Sequence, residues 1–264
     1  MSLLLFQIDA FADRLFGGNP AAVIPLDAPL PEATMQAIAA ENNLSETAFL
    51  FPQGDRFNLR WFTPVREVDL CGHATLATAW VLFERLACQK REIVFDTKSG
   101  PLTVTRDGDW LWMDFPADPA VPVPCPDALR EGLGRPPMEV HAAADYLAVF
   151  ESEEVVRALA PDFRALARLD RRGVIATAPG RKVDFVSRFF APNYGIDEDP
   201  ATGSAHCTLA PFWAGRLGKT NLLAHQVSAR GGVIRCEPRG ARVRLGGQAA
   251  LYLEATLSRL PGED

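Results

Sequence analysis

Two stretches of the chain share one pattern, and together they restrict the fold more than any other feature. Residues 69–77 read DLCGHATLA, and residues 197–207 read DEDPATGSAHC. Each places an acidic residue and then a glycine before small residues and a helix-forming run, as expected at a helix N-terminus with capping oxygens from Asp or Thr. The two glycines lie about half of the 264-residue chain apart. The pattern therefore predicts two related domains and not a short-period repeat.

Both stretches are also candidate binding elements. The first turn of a helix has backbone N–H groups without intrahelical partners and carries a partial positive charge. It can therefore hold a carboxylate or a phosphate. One such helix start in each half predicts that both point at a single ligand in a cleft between the two domains.

The bulk composition excludes several classes of function. The net charge of −6 and the pI of about 5.3 argue against nonspecific binding to nucleic acid. Hydrophobic residues make up 48% of the chain, enough for a real core. No apolar run reaches membrane-spanning length, and the first ten residues lack the basic segment and cleavage site of a signal peptide. We therefore expect a cytoplasmic protein that binds neither nucleic acid nor membrane.

The cysteines and histidines show no ligand spacing. The five cysteines are scattered and form no CxxC motif, which favours reduced thiols. The four histidines form no HExxH motif or other paired spacing. The sequence therefore predicts no metal site.

Each half of the chain predicts the same order of elements: strands, a small helix, strands, a central apolar helix and further strands. The central helices are predicted at residues 72–86 and from Gly203 to about Leu217, and the first is apolar nearly all round, as buried helices are. Short, mostly antiparallel strands wrapped around each helix give an α+β fold. The proline-rich residues 117–137 are predicted as a linker that contains a short helix near Asp127–Gly132, and a late strand is predicted at residues 226–229.

Five motifs, in order along the chain, resemble the phenazine-biosynthesis PhzF-like family. They are GNPAAV (residues 18–23), NLSETAF (43–49), CGHAT (71–75), RFFAP (188–192) and EDPATGSA (198–205). The resemblance implies a diaminopimelate-epimerase-like fold, in which each of two similar domains is a β-roll around a central helix. We place these domains at residues 1–118 and 119–264, with the last strand free to return to the first domain.

The resemblance also implies a function. It predicts a cofactor-independent isomerase that moves a proton within a small carboxylated metabolite. The reaction of the named family member is isomerisation of trans-2,3-dihydro-3-hydroxyanthranilate. A homodimer is expected on the same ground.

Glu46 and His73 are the first candidate catalytic residues. An isomerase that moves hydrogen between carbons needs a group that removes a proton and returns it elsewhere, and a carboxylate in an apolar setting can do both. The resemblance assigns that role to Glu46. His73 lies in the first turn of a predicted helix, where the dipole lowers its tendency to protonate. The resemblance maps a catalytic histidine to this position.

Asp199 is the third candidate catalytic residue, and the remaining candidates would bind the substrate. Asp199 is predicted to orient a substrate amine or to pair with His73, and its structural alternative is a helix cap. Ser204 is predicted to bind the substrate carboxylate with the N–H groups of Gly203 and Gly72. Asn19 is a further candidate that shapes the site.

Two rival functions stay open. Diaminopimelate epimerase uses one cysteine thiol in each domain, and Cys71 occupies the first of those positions, whereas the second half has no thiol at the equivalent turn. A two-thiol racemase is therefore disfavoured, and packing is the preferred role of Cys71. An amino-acid racemase or epimerase on the same fold is the first rival, and a non-catalytic metabolite-binding protein is the second.

Overall fold

In the computed structural model, residues 2–257 are described. The strands are β1 (Leu3–Ala10), β2 (Asn19–Pro25), β3 (Glu46–Gln53), β4 (Arg56–Phe62), β5 (Glu67–Val68), β6 (Glu92–Thr97), β7 (Gly100–Asp107), β8 (Trp110–Pro116), β9 (Val121–Pro122), β10 (Glu139–Ala142), β11 (Tyr146–Val149), β12 (Val174–Pro179), β13 (Phe185–Ala191), β14 (Ile196–Asp199), β15 (Leu222–Gln226), β16 (Gly232–Arg239), β17 (Arg242–Gly247) and β18 (Ala249–Leu257). The helices are α1 (Glu32–Asn42), α2 (Gly72–Glu84), α3 (Asp127–Leu133), α4 (Glu153–Ala158), α5 (Phe163–Leu166) and α6 (Gly203–Leu217).

The chain divides into two compact units. Unit 1 joins the chain up to Asp114 to the chain from Gly246 onward, and unit 2 is the continuous segment Phe115–Leu245. The sequence placed the boundary between residues 118 and 119 and left the last strand free to return. In the structure β18 pairs antiparallel with β1 along its length, from Leu3 opposite Leu257 to Ala10 opposite Ala249. The outer edge of β1 is thereby covered by the end of the described chain.

The two units repeat one order of strand pairing. In unit 1, β1·β2 is antiparallel, β2·β3 parallel, β3·β4 antiparallel, β4·β6 parallel and β6·β7 antiparallel. In unit 2, β10·β11, β11·β12, β12·β13, β13·β15 and β15·β16 follow the same alternation. The helices α2 and α6 connect the second parallel pair in each unit. The predicted α+β class and the internal duplication are therefore confirmed.

Helix α2 is buried on nearly every side, as its composition predicts. It contacts β1, β2, β3 and β18, and even its threonines are buried. The hydroxyl of Thr75 donates to the Cys71 carbonyl at 2.6 Å, and that of Thr78 donates to the Ala74 carbonyl at 2.7 Å. Because these hydroxyls are satisfied within the helix, they can be buried without a large energetic penalty.

Helix α6 contains Pro211, which cannot donate a hydrogen bond to the carbonyl of Cys207 one turn earlier. The backbone N–H of Asp118 donates to that carbonyl instead, at 3.1 Å. The Trp213 ring stacks on Phe185 of β13, and its indole N–H donates to Thr177 of β12 at 3.0 Å. Strands of unit 2 thus hold α6 even where its own hydrogen bonding is interrupted.

Two predicted segments differ from the structure. The short helix predicted near Asp127–Gly132 is α3, but residues 117–137 are not a free linker, because they also contain β9 and the side chains of Leu129 and Leu133 lie in the core of unit 2. The strand predicted at residues 226–229 is β15, which ends at Gln226. Alternate residues of β15 face inward, and the following residues form a turn in which the Ser228 hydroxyl accepts the N–H of Gly231 at 3.1 Å.

The remaining predictions concern the cysteines and the membrane. All five cysteines are free thiols. Within the part of the chain that the structure describes, no helix is long and apolar enough to cross a membrane.

The packing around α2 makes a prediction about stability. A Cβ atom at Gly247 would lie 2.4 Å from Cδ1 of Phe11 and 2.7 Å from Cδ1 of Leu76. We expect Gly247→Ala to lower the free energy of unfolding by about 1–3 kcal/mol, because both side chains are buried and cannot move freely. Urea unfolding followed by circular dichroism measures the change.

Gly215→Ala is the matched control. Gly215 is exposed on α6, and a Cβ atom added there would meet no other side chain within 4 Å. The same substitution there should raise stability by a few tenths to about 1 kcal/mol, because alanine favours a helix. Equal effects at the two glycines would contradict the packing described for Gly247.

Candidate active site

Glu46 lies at the start of one of two paired parallel strands, and this pairing fixes its backbone. It begins β3 and lies opposite Ala21 of β2. The preceding residue, Ser45, donates its hydroxyl to Oδ1 of Asn19 at 3.3 Å. Asn19, proposed from sequence as a residue that shapes the site, is buried at the start of β2. It therefore lies where it can orient the turn that carries Glu46.

The aromatic residues that follow Glu46 in sequence do not surround it. Side chains alternate along β3, and Phe49 packs with Phe62, Met35 and Ala39 in the core under α1. The rings of Phe49 and Phe62 meet edge to face with centroids 5.6 Å apart. Glu46 instead reaches the start of α2.

The structure brings Glu46 and His73 together. Oε2 of Glu46 lies 3.1 Å from Nε2 of His73, and their side chains are only 13% and 8% exposed. The two atoms lie outside the directional range of a hydrogen bond, and neither has another hydrogen-bond partner among the described residues. A buried ion-pairing contact with spare hydrogen-bonding capacity can change partners when a substrate enters.

Cys71 contacts the other nitrogen of the same imidazole ring. Its Sγ atom is 3.5 Å from Nδ1 of His73. Burial raises the pKa of the Cys71 thiol, so the thiol is neutral at pH 7 and can share a proton with the ring. The sequence favoured a packing role for Cys71, whereas the structure places its sulfur in contact with a candidate catalytic residue.

The protonation of His73 is opposite to the prediction from the helix dipole. Burial lowers the pKa of His73, but the neighbouring Cys71 and Glu46 raise it, and the net pKa lies well above the ordinary value. We attribute the rise chiefly to Glu46, because the Cys71 thiol is neutral at pH 7. A carboxylate at 3.1 Å outweighs the weaker field of the helix N-terminus. His73 is therefore a proton donor at neutral pH.

Glu46, Cys71 and His73 also contain the donors that a metal ion uses. One ligand atom from each lies within 4.8 Å of the others, a cluster that motif spacing did not reveal. However, the thiol faces Nδ1 of the imidazole and the carboxylate faces Nε2. The thiol and the carboxylate thus contact different nitrogens of one ring. A proton can therefore pass between the ring and either group, and the absence of a metal site stays a prediction.

In unit 2 the candidate residues surround the turn between β14 and α6. Asp199 ends β14 and is buried, and its carboxylate accepts the hydroxyl of Thr202. The sequence predicted that Asp or Thr would cap α6 with a side-chain oxygen. Thr202 occupies the N-cap position but makes no side-chain cap. Its hydroxyl is directed to Asp199 instead.

The glycines occupy equivalent positions in the two units. Gly72 is the first residue of α2, after Cys71 at the N-cap, and Gly203 is the first residue of α6, after Thr202. Neither N-cap residue caps its helix with its side chain. Ser204 is the second residue of α6 and is exposed. Gly203 and Ser204 thus form the start of α6, shortly after Asp199 in the chain.

Two other residues have structural roles here. Arg188 donates two hydrogen bonds to Glu198, at 2.7 and 2.8 Å, and further ones to the carbonyls of Val156 and Leu159. Burial lowers the pKa of His206 to about 4, so its ring is neutral at pH 7. Nδ1 of His206 therefore donates to the carbonyl of Thr202, at 2.8 Å.

Sequence reasoning missed two members of this neighbourhood. Gln226 is buried at the end of β15 and contacts both Asp199 and Thr202. For Thr202 the sequence predicts only a helix-capping role. The two meet across more than twenty residues of chain, so spacing could not connect them. A glutamine at an inward-facing position of β15, where the other inward residues, Leu222 and Ala224, are apolar, is the one local signal.

Known proteins resemble this chain over nearly its full length. A family described as phenazine biosynthesis-like protein matches residues 8–255. An uncharacterized isomerase of Pseudomonas aeruginosa is 56% identical, and the match covers 97% of this chain and 99% of that protein. A crystal structure of a phenazine biosynthesis PhzF family protein from Enterococcus faecalis has a TM-score of 0.96 at 48% identity, covering 98% of this chain and 100% of the other.

A more distant structure bears on the fold alone. A hydroxyproline epimerase from Agrobacterium vitis superposes with a TM-score of 0.61 at 12% identity, covering 97% of this chain and 92% of the other. The expected epimerase-like fold is thus confirmed. The relatives named as isomerases support an isomerase- or epimerase-type function.

The raised pKa of His73 predicts how stability depends on pH. The folded state binds the His73 proton more tightly than the unfolded state, so this coupling stabilises the fold below about pH 6.5. The stabilisation is lost as the pH rises through the folded-state pKa of His73. We therefore expect the difference in unfolding free energy between wild type and Glu46→Gln to shrink between pH 6 and pH 10.

Urea unfolding at several pH values and NMR titration of the His73 ring measure this directly. In Glu46→Gln the pKa of His73 should fall, because the carboxylate is lost while burial remains. Cys71→Ser is the control, since a neutral hydroxyl replaces a neutral thiol and should leave most of the rise in place. An unchanged His73 pKa in Glu46→Gln would mean that the carboxylate does not cause the shift.

Proposed function

The chain belongs to the phenazine biosynthesis-like family, and we propose that it is a cofactor-independent isomerase that moves a proton within a small carboxylated metabolite. The observation that supports this most is the buried contact between Glu46 and His73 at 3.1 Å. A carboxylate and a protonated imidazole in contact supply one proton acceptor and one proton donor at the same place.

Glu46 is the proposed acid and base. It removes a proton from one carbon of the substrate and returns it to another, so that a double bond migrates and no atom is gained or lost. His73, with its raised pKa, donates a hydrogen bond to a substrate oxygen or amine as charge develops there. Because little water reaches either group, their mutual electrostatic interaction is stronger than it would be in solution.

Asp199, Gly203 and Ser204 are the proposed binding residues, with Gly72 and Asn19 in supporting roles. The first turn of α6 favours an anion, and the hydroxyl of Ser204 is exposed beside it. We propose that this turn holds the substrate carboxylate and that Asp199 orients a substrate amine.

Racemisation of an amino acid is the second candidate, and Cys71 is the observation that favours it. Its sulfur contacts His73, so it could act as a second acid. The equivalent N-cap position in unit 2 is Thr202, however, and Cys207 lies one turn further into α6, with its Sγ 3.7 Å from the Gly203 carbonyl. A mechanism with two opposed thiols would therefore lack its second thiol, which favours isomerisation.

Proton NMR of trans-2,3-dihydro-3-hydroxyanthranilate with the purified protein in D₂O tests the proposal. Wild type should move the double bond, and the deuterium content of the carbon that receives the proton measures how far the proton held by Glu46 exchanges with solvent. Glu46→Gln should lower kcat by about 10²–10⁴-fold, as expected for loss of a general acid–base group. Circular dichroism checks that the variant is folded.

The other outcomes separate the rivals. Full turnover in Glu46→Gln would remove Glu46 from the mechanism. An unchanged dihydro acid, together with deuterium exchange at the α-carbon of an amino acid, would favour the racemase. Ligand binding without any exchange in either assay would favour the metabolite-binding protein.

A further inference from the structure

A buried glutamine holds the turn that carries Asp199. Nε2 of Gln226 donates to the Asp199 carbonyl at 2.6 Å and to the Thr202 hydroxyl at 3.1 Å, and Oε1 accepts the backbone N–H of Thr202 at 2.8 Å. Both ends of the amide are thus in use. Gln226 is itself fixed in the sheet, opposite Ser187 of β13 and Gly232 of β16.

The orientation of this amide is forced by its partners. A rotation that exchanges its nitrogen and oxygen would put Oε1 against the Asp199 carbonyl and Nε2 against the Thr202 N–H. Two acceptors would then face each other at the first position and two donors at the second. The amide N–H therefore points at the Thr202 hydroxyl. Because that oxygen accepts the amide hydrogen, its own hydrogen is free to be donated to the Asp199 carboxylate.

We propose that Thr202 and Gln226 are positioning residues for Asp199: the amide orients the hydroxyl, and the hydroxyl orients the carboxylate. The chain of donors runs in one direction, from the sheet to the acid. The inference rests on the proposed function, in which Asp199 contacts the substrate, and it adds residues that have no contact with substrate in that scheme.

The burial of all three groups makes this arrangement effective. Asp199, Thr202 and Gln226 are each less than a tenth exposed. Water therefore cannot readily replace the Thr202 hydroxyl if it is removed. His206 adds a second constraint, because it donates to the carbonyl of Thr202 from within α6. The turn is held from β15 on one side and from α6 on the other.

Thr202→Val and Thr202→Ser form the decisive pair. Valine keeps the shape and loses the hydroxyl, whereas serine keeps the hydroxyl. We expect Thr202→Val to lower kcat by about ten- to a hundredfold, the factor associated with one hydrogen bond to a charged group, with a smaller change in KM. Thr202→Ser should restore most of kcat.

Thr208→Val is the matched control. Thr208 is also buried on α6, and its hydroxyl donates to Asp118 at 3.3 Å, away from Asp199. Loss of this hydroxyl should leave kcat at the wild-type value. If Thr202→Val behaves like Thr208→Val, the positioning role is overturned while the isomerase proposal stands.

A second measurement needs no substrate. The ¹³C resonance of the Asp199 carboxyl group is identified in aspartate-labelled protein by its absence from Asp199→Asn. It should move in Thr202→Val and in Gln226→Leu, and stay near its wild-type position in Thr202→Ser and Thr208→Val. A resonance that does not move in Thr202→Val sinks the inference.

The two measurements separate the two proposals. If the wild type is inactive on every substrate tested, the proposed function fails, and the carboxyl resonance still decides whether Thr202 holds Asp199. If the wild type is active and the resonance moves without loss of kcat, the contact exists but does not serve catalysis, and the inference is overturned.

Discussion

A helix that is apolar on nearly every side has to be enclosed, and the enclosure of α2 decides where polar chemistry can lie in unit 1. Strands β1, β2, β3 and β18 contact it, and the hydroxyls of its buried threonines donate to backbone carbonyls one turn earlier. The first turn is where side chains with spare hydrogen-bonding capacity remain. His73 is in that turn, and Glu46 reaches it from the start of a neighbouring strand. The position of this candidate pair is thus a consequence of how the core is closed.

The two N-cap residues show how one framework can be used in two ways. Cys71 and Thr202 hold the same position before their helices, and neither caps its helix. The thiol of Cys71 faces His73, and the hydroxyl of Thr202 faces Asp199. Each unit therefore uses the side chain at this position to contact a candidate functional group. A duplication that keeps the backbone can in this way give each half its own chemistry.

Much of the fold could be predicted from local pattern, because the apolar run after Gly72 and the turn signals around the strands are local properties. The residues of the candidate site were found mainly by resemblance. The predictions that were wrong concern residues whose behaviour depends on neighbours distant in sequence. The helix dipole predicts a lowered pKa for His73, but Glu46, which is remote in sequence, raises it. The helix-start pattern predicts a capping role for Thr202, but Gln226 contacts its hydroxyl. The prolines of residues 117–137 predict a linker, because the burial of Leu129 and Leu133 cannot be read from prolines.

The pairing of β1 with β18 has a consequence for the order in which the protein can fold during synthesis. The ribosome completes all of unit 2 before it makes β18, because unit 1 contains both the beginning and the end of the described chain. Until then one edge of β1 lacks its partner strand and remains open to pairing with other chains. During this interval the newly made N-terminal half presents an unpaired strand edge, which is a known site of aggregation.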